Sequence, residues 1–348
     1  MSTAQADPGR LAARKAFYQT IDAHGLTPLW ESLHALVPPT PVTEVQPALW
    51  RYDSLRPFLL QSAELISAEE AERRVLILEN PGLRGQSAIT QSMYAGLQVI
   101  LPGEIAPAHR HAQSALRLVL EGEGAYTAVN GERIPMTRGD FIITPAYTWH
   151  DHGHDGSGPV VWLDGLDIPL VRFLNAGFAE KASEQAQAEL QPVGDGLARF
   201  GSNMVPVDYV PAVGAPAELC HYPYARSREA LTQLARTKVD AWQGYKLRFV
   251  NPATGGAPIP TIGTCIQLLP AGFETRPLRS TDSTVYCCLE GEGTAVIGEQ
   301  EFRFGENDVF VVPSWSPLRL QASREAVLFS YSDRPIQQVL GLWKEARG

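Results

Sequence analysis

The chain repeats itself. The run L-L-P-A-G-F-E-T-R-P-L-R at 268–279 echoes I-L-P-G-E-I-A-P-A-H-R-H at 100–111, and L-E-G-E-G-T-A-V at 289–296 echoes L-E-G-E-G-A-Y-T-A-V at 120–129. A third pair, V-V-P-S-W-S-P-L at 311–318 and I-T-P-A-Y-T-W-H at 143–150, keeps the spacing. Leu101 falls opposite Leu269 and Leu120 opposite Leu289, offsets of 168 and 169 residues. Short apolar runs punctuated by Gly and Pro, repeated at this distance, predict two similar β-domains. At 348 residues the chain is long enough to give each its own core.

The copies differ where chemistry can reside. Five of the eight histidines lie between His109 and His154. His109 and His111 are two apart, so on a strand they share a face, and His150 arrives from a second strand. Three imidazoles form a set of nitrogen donors that suits Fe, Zn, Cu or Ni better than Mg or Ca. A single H-x-H is often only a hydrogen-bonded pair on a half-buried strand. Its frame raises this one: Gly103, His109, His111, Ala115 and Gly122, then Gly139, Pro145 and His150, stand at the spacings of the two cupin motifs. The stretch therefore resembles a cupin barrel, a relative of the jelly roll. Ala115 stands where most metal-binding cupins have a glutamate, His154 where an Asn is usual, and Tyr147 where a Gly is usual. A three-histidine site with open coordination positions is expected. In the second copy the ligand positions fall near Pro277 or Leu278, Arg279 or Ser280, and Leu318, so that copy is expected to be a scaffold without metal.

The expected fold is mainly β: a bicupin of two tandem jelly-roll-like barrels, with an N-terminal helical segment and helical connections. The boundaries read as 1–85 for the helical segment and lead-in strand, 86–170 for the metal-binding barrel, 171–245 for a connecting segment and 246–348 for the second barrel. Residues 1 to about 10 read as disordered, and Gly25 and Pro28 split the apolar periodicity of 11–36 into two short helices. Ser67 and Glu70 form a capping box, V-L-I-L at 75–78 a strand, and Asn80-Pro81-Gly82 a turn. Strands are expected at 88–101, 116–121, 124–129, 141–144 and 160–163, with a hairpin turn at Asn130-Gly131 and an amphipathic helix over 225–238.

A formal net charge of −9 leaves no footprint for nucleic acid or an anionic membrane. Without a basic-then-apolar start or an eighteen-residue apolar run, a cytoplasmic protein is the expectation. Cys220, Cys265, Cys287 and Cys288 have no C-x-x-C spacing and read as reduced, buried thiols. A small-molecule partner fits this chain better than a macromolecule.

Arg117 lies two residues beyond Ala115 and so points inward beside the gap left by the missing glutamate. Buried there it would grip a substrate carboxylate or pair with an acid such as Asp164. His152 shares the face of His150, where it would exchange a proton or orient a ligand. Arg73 and Arg74 alone would pass for a surface pair, and Asp164 for a strand-end acid.

The runs P-L-W-E-S-L at 28–33, E-R-R-V-L-I-L-E-N-P-G-L at 72–83 and A-G-L-Q-V-I-L-P-G-E at 95–104, with A-H-R-H, W-H-D-H-G and L-D-G-L-D-I-P-L, are together similar to the gentisate 1,2-dioxygenase family of bicupins. That family also holds salicylate and 1-hydroxy-2-naphthoate ring-cleaving dioxygenases. The resemblance covers most of residues 17–170 and continues more loosely through the second copy. It implies Fe(II), one per chain, on His109, His111 and His150, with catalytic roles for His152, Arg117 and Asp164. It also implies substrate contacts from Arg73, Tyr94, Gly96, Gln98, Arg117, His152 and Asp164, and a homotetramer. The implied reaction is gentisate plus O2 to maleylpyruvate, a carboxylate and an ortho hydroxyl chelating the metal beside O2. Members preferring salicylate can carry Trp where this chain has Tyr94, which favours gentisate. Salicylate or hydroxynaphthoate cleavage is the nearest alternative. A metal-dependent isomerase using His152, or a storage bicupin, is the alternative from another class, although a storage protein would be expected to have lost its metal ligands.

Overall fold

The computed structural model describes residues 8–210 and 217–348, in two units, Met1–Val42 and Thr43–Gly348. In the first, helices Pro8–Asp22 and Leu29–Leu36 flank the turn at Gly25, as the punctuation predicts. Trp30 Nε1 donates to Tyr18 Oη at 2.7 Å, and Arg14 pairs with Glu31. Helix is thus present from Pro8, inside the stretch read as disordered; residues 1–7 of that reading lie outside the described residues.

The second unit holds two barrels, each made of a six-stranded and a five-stranded antiparallel sheet. In the first barrel the larger sheet runs His221–Tyr222, Phe141–Thr144, Ala115–Glu121, Val160–Leu166, Tyr94–Ile100, Val75–Ile77, and the smaller runs Ala179–Lys181, Ile105–His111, His150–His154, Glu123–Val129, Glu132–Thr137. In the second, the larger sheet runs Ala48–Trp50, Val309–Val312, Thr284–Glu290, Ala326–Ser332, Gly263–Leu269, Tyr245–Arg248. Its smaller partner contains Gln300–Phe304, Gly293–Ile297, Leu318–Ala322, Leu278–Ser280 and Glu345–Arg347. Asn130 and Gly131, at φ 47° and 83°, make the hairpin joining Glu123–Val129 to Glu132–Thr137.

Alternation within the strands explains the layering. In L-R-L at 116–118 the leucines are fully buried on the face away from the site, in one apolar cluster with Leu163 and with Val285, Cys287, Phe329 and Tyr331 of the second barrel. Arg117 points the other way, into its own barrel. The large sheets of the two barrels therefore share a core, while each barrel interior stays separate.

Several elements depart from expectation. Residues 88–93 turn rather than extend, since the Ile89 amide donates to the Met93 carbonyl, and the strand begins at Tyr94. Helix Tyr52–Leu65 was not expected: it tolerates Pro57 and is held by Tyr52 N donating to Asp308 Oδ1 at 2.8 Å and Tyr52 Oη donating to Glu121 Oε2 at 2.7 Å. Just before it, Ala48–Trp50 crosses to pair with Val309–Val312 of the second barrel. The region after residue 170 supplies an edge strand to each sheet of the first barrel, at Ala179–Lys181 and His221–Tyr222. The helix expected over 225–238 runs Tyr224–Leu234. All four cysteines are free, but Cys265 is only half-buried. Among the described residues no helix is long and apolar enough to cross a membrane.

Candidate active site

His109 and His111 end the strand Ile105–His111, and His109 pairs in register with His150, the first residue of its own strand. Their rings close into one group, with centroids 4.2 Å apart for His109–His150, 4.8 Å for His111–His150 and 5.2 Å for His109–His111. One ligand atom from each lies within 4.8 Å of the others. Each Nδ1 sits against a backbone carbonyl two residues away: Pro107 at 3.1 Å, Gln113 at 2.7 Å and Thr148 at 3.0 Å. In His111 and His150, Nδ1–H donates to those carbonyls and leaves the Nε2 lone pair free, the tautomer a metal requires, while at His109 the same nitrogen also meets Arg73 Nη2. Burial, reinforced by neighbouring guanidinium charge, holds His109 down to about 3 and lowers His111 and His150, so all three are neutral at pH 7. The donor set fits a first-row transition metal.

The facing sheet supplies the charged groups. Arg117, Asp164 and Gly96 form one row across three neighbouring strands, and Ala115, Leu166 and Tyr94 form the next. Arg117 Nε lies 3.6 Å from Asp164 Oδ1, too far for a hydrogen bond, and has no other partner. Its Nη1 donates to Thr144 Oγ1. The alternative of a salt bridge to Asp164 is therefore present as charge attraction, and it leaves part of the guanidinium's hydrogen-bonding capacity unused. Asp164 accepts from Trp162 Nε1 at 3.0 Å, and burial pushes its carboxyl up to about 6 against the pull of Arg117.

Arg73 and Arg74 are not a surface pair. Arg74 is buried against Glu104, with Nη1 donating to Oε1 at 2.9 Å. Arg73 Nη2 comes within 2.5 Å of His109 Nδ1 and donates to the Pro107 carbonyl at 2.8 Å. Burial, and then the charge of Arg117, bring its pKa down to about 9, still cationic at neutral pH.

His152 is wholly buried beside Trp162, ring centroids 5.3 Å apart, with its Nε2 unpartnered. Its Nδ1 is 3.0 Å from Thr127 Oγ1, whose hydroxyl has Met136 Sδ at 3.6 Å as acceptor. When the Thr127 hydroxyl points at that sulfur, His152 Nδ1–H donates to Thr127 and Nε2 keeps a lone pair. Burial first, then Arg117, keep this ring neutral. Gln98 is buried on the same face as Gly96 and Tyr94. A Cβ at Gly96 would meet Val75 Cγ1 at 2.4 Å and Tyr94 Oη at 2.8 Å, so glycine there gives the Tyr94 phenol its place. His154 is tied to Gly158 O at 2.6 Å and is structural.

A family model described as "Cupin domain" matches residues 96–166. Over 343 residues the chain is 51% identical to "Gentisate 1,2 dioxygenase 1" of Aquipseudomonas alcaligenes, covering 98% of both chains. The chain belongs to the gentisate 1,2-dioxygenase family. Among solved structures of similar proteins, a variant of salicylate 1,2-dioxygenase from Pseudoaminobacter salicylatoxidans in complex with gentisate superposes with a TM-score of 0.93 at 33% identity, covering 100% of this chain and 98% of that one. A tryptophan-to-tyrosine variant of the same enzyme, also in complex with gentisate, gives 0.92 at 34% identity over 99% and 97%. In this member of the gentisate dioxygenase family, the residues the sequence reading left out are Thr144, Thr127 and Trp162. Trp162 was accessible, being two before Asp164 on one strand. The two threonines contact the site only through strand register.

Proposed function

We propose that the chain is an Fe(II)-dependent gentisate 1,2-dioxygenase, opening the ring with both atoms of O2 to give maleylpyruvate. The observation that carries this reading is three converging imidazole donors sharing a barrel with the buried, incompletely bonded Arg117. Such a pocket favours a small anion that can chelate, and gentisate offers a carboxylate beside a hydroxyl. His109, His111 and His150 would hold one iron(II) per chain, which would supply the Lewis acidity that draws in the carboxylate and hydroxyl and the redox chemistry that uses O2.

Arg117 holds and charge-balances the substrate carboxylate through charge-assisted hydrogen bonds. Asp164 keeps the guanidinium oriented without using its free donors. His152 Nε2, with its lone pair available, takes the proton of the phenolic hydroxyl. Arg73 adds a second cation on the His109 side, and Gln98 and Tyr94 bound the ring, with Gly96 making room for the Tyr94 phenol. With neutral histidines and Ala115 in place of a carboxylate ligand, the ligand set itself adds no negative charge to offset withdrawal of electrons from a dianionic substrate. The family resemblance supports a cytoplasmic homotetramer, which light scattering in solution tests.

Salicylate is the second reading, favoured by the likeness to the salicylate enzyme. Initial O2 uptake by iron-loaded protein with gentisate, salicylate and 1-hydroxy-2-naphthoate separates them. Gentisate should be fastest. Faster uptake with salicylate overturns the substrate, and no uptake with any of the three overturns the enzyme class.

A further inference from the structure

The second barrel encloses a cavity of about 500 Å³ that ring cleavage does not use. Strand register puts it where the first barrel holds its site. Cys265, Ser330 and Tyr286 form a row matching Gly96, Asp164 and Arg117. Leu278 pairs with Leu318 as His109 pairs with His150. Metal ligation is thereby lost, yet the interior has not become an apolar core.

Lys246 enters from the edge strand Tyr245–Arg248, and its Nζ lies 5.5 Å from the centroid of the Tyr286 ring. It lines the cavity, and among the described residues it has no ion pair or side-chain hydrogen bond. The acid on the cavity wall is Asp282, which is buried and already engaged, by Arg334 Nε at 3.4 Å and by Trp343 Nε1 donating at 2.8 Å. Ser330, Ser332 and Thr284 add hydroxyls to the same lining, while Leu278, Val312 and Leu318 make an apolar wall. A partly desolvated ammonium with no ion-pair partner, facing hydroxyls and an apolar wall, matches an organic anion with a small apolar body.

We propose that the second barrel binds a small organic carboxylate, its carboxylate on Lys246 and its body against Leu278, Val312 and Leu318. That chemistry has two sources: an aromatic acid resembling the substrate of the first barrel, or a short-chain unsaturated diacid resembling a ring-opened product. The site does not depend on the ring-cleavage assignment, because neither Lys246 nor the apolar wall belongs to the first barrel.

The test is calorimetric titration of the iron-loaded protein with benzoate, maleate and inorganic phosphate. One carboxylate should bind in an event weakened about tenfold or more in Lys246→Met and retained in Lys246→Arg. Benzoate as the tighter ligand identifies the aromatic source, and maleate the ring-opened one. Gentisate turnover by both variants should stay near wild type, which confirms folding separately. A readout without substitution is available at Cys265, which lines the cavity and is the least buried of the four cysteines. The bound carboxylate should slow its alkylation by iodoacetamide severalfold in the unaltered protein. Binding unchanged by Lys246→Met, phosphate binding as tightly as either carboxylate, or alkylation unaffected by saturating ligand would each overturn the proposal.

Discussion

In the first barrel the row Gly96, Asp164, Arg117 carries a buried acid and base across three strands, whereas the matching row of the second is Cys265, Ser330, Tyr286. Where His109 and His150 face each other, the second barrel pairs Leu278 with Leu318. The ladders are alike, so the backbone does not decide which barrel is reactive. A handful of inward positions does. The silent barrel still supports the active one: Tyr331 Oη donates to the Tyr94 carbonyl at 3.2 Å, and its ring would lie 2.9 Å from a Cβ placed on Gly165. Losing ligands thus left a buttress whose own interior remained polar.

The largest effect should come from His150→Ala, which removes a donor from a three-donor site and should abolish both iron retention and oxygen uptake. Leu318→Ala, at the corresponding position, should leave iron content at one per chain. Metal analysis of the two proteins checks this, and two tightly held ions per wild-type chain would break the comparison. Arg117→Ala should come next. It should keep iron and lose more than about tenfold in kcat/KM, since a charge-assisted hydrogen bond contributes roughly 1.5–3 kcal/mol. Near-normal turnover in that variant would make Arg117 only a partner of Asp164.

A smaller change is expected from Tyr94→Trp, which enlarges the side chain beside Gly96 and should raise the salicylate-to-gentisate rate ratio. Oxygen uptake with each substrate measures it, and an unchanged ratio removes Tyr94 from the pocket's selectivity. The smallest effect concerns pH in the metal-free protein. Burial puts the Asp164 carboxyl at about 6, above the ~3.9 of an unfolded chain. Between those values the folded state binds more protons, so this group's contribution to stability is present below the lower value and is lost as pH rises through the upper one. Urea unfolding across that window should show the fall, and Asp164→Asn should flatten it.

What the sequence made legible was whatever depends on spacing along a single strand. His109 and His111 two apart, Ala115 and Arg117 two apart, and the repeat itself each predicted a shared face or a shared fold. What it hid depends on contacts between strands distant in sequence. Thr144 meets Arg117 through pairing of Ala115–Glu121 with Phe141–Thr144, and Thr127 meets His152 through pairing of Glu123–Val129 with His150–His154. Arg73 looked superficial because nothing local reveals that the strand leading from Val75 carries it to His109. The helix Tyr52–Leu65 was hidden by Pro57, a breaker that tertiary contacts with Asp308 and Glu121 overrule.

The central claim is that the first barrel binds gentisate by chelation and cleaves it only with O2. Gentisate added anaerobically to the Fe(II) protein, followed by air, tests this most directly while oxygen and near-ultraviolet absorbance are recorded together. The account predicts binding without turnover until air enters, then one O2 consumed per gentisate as the absorbance of a conjugated ring-opened keto acid rises. Ring opening under anaerobic conditions, or loss of gentisate in air without oxygen consumption, would contradict it.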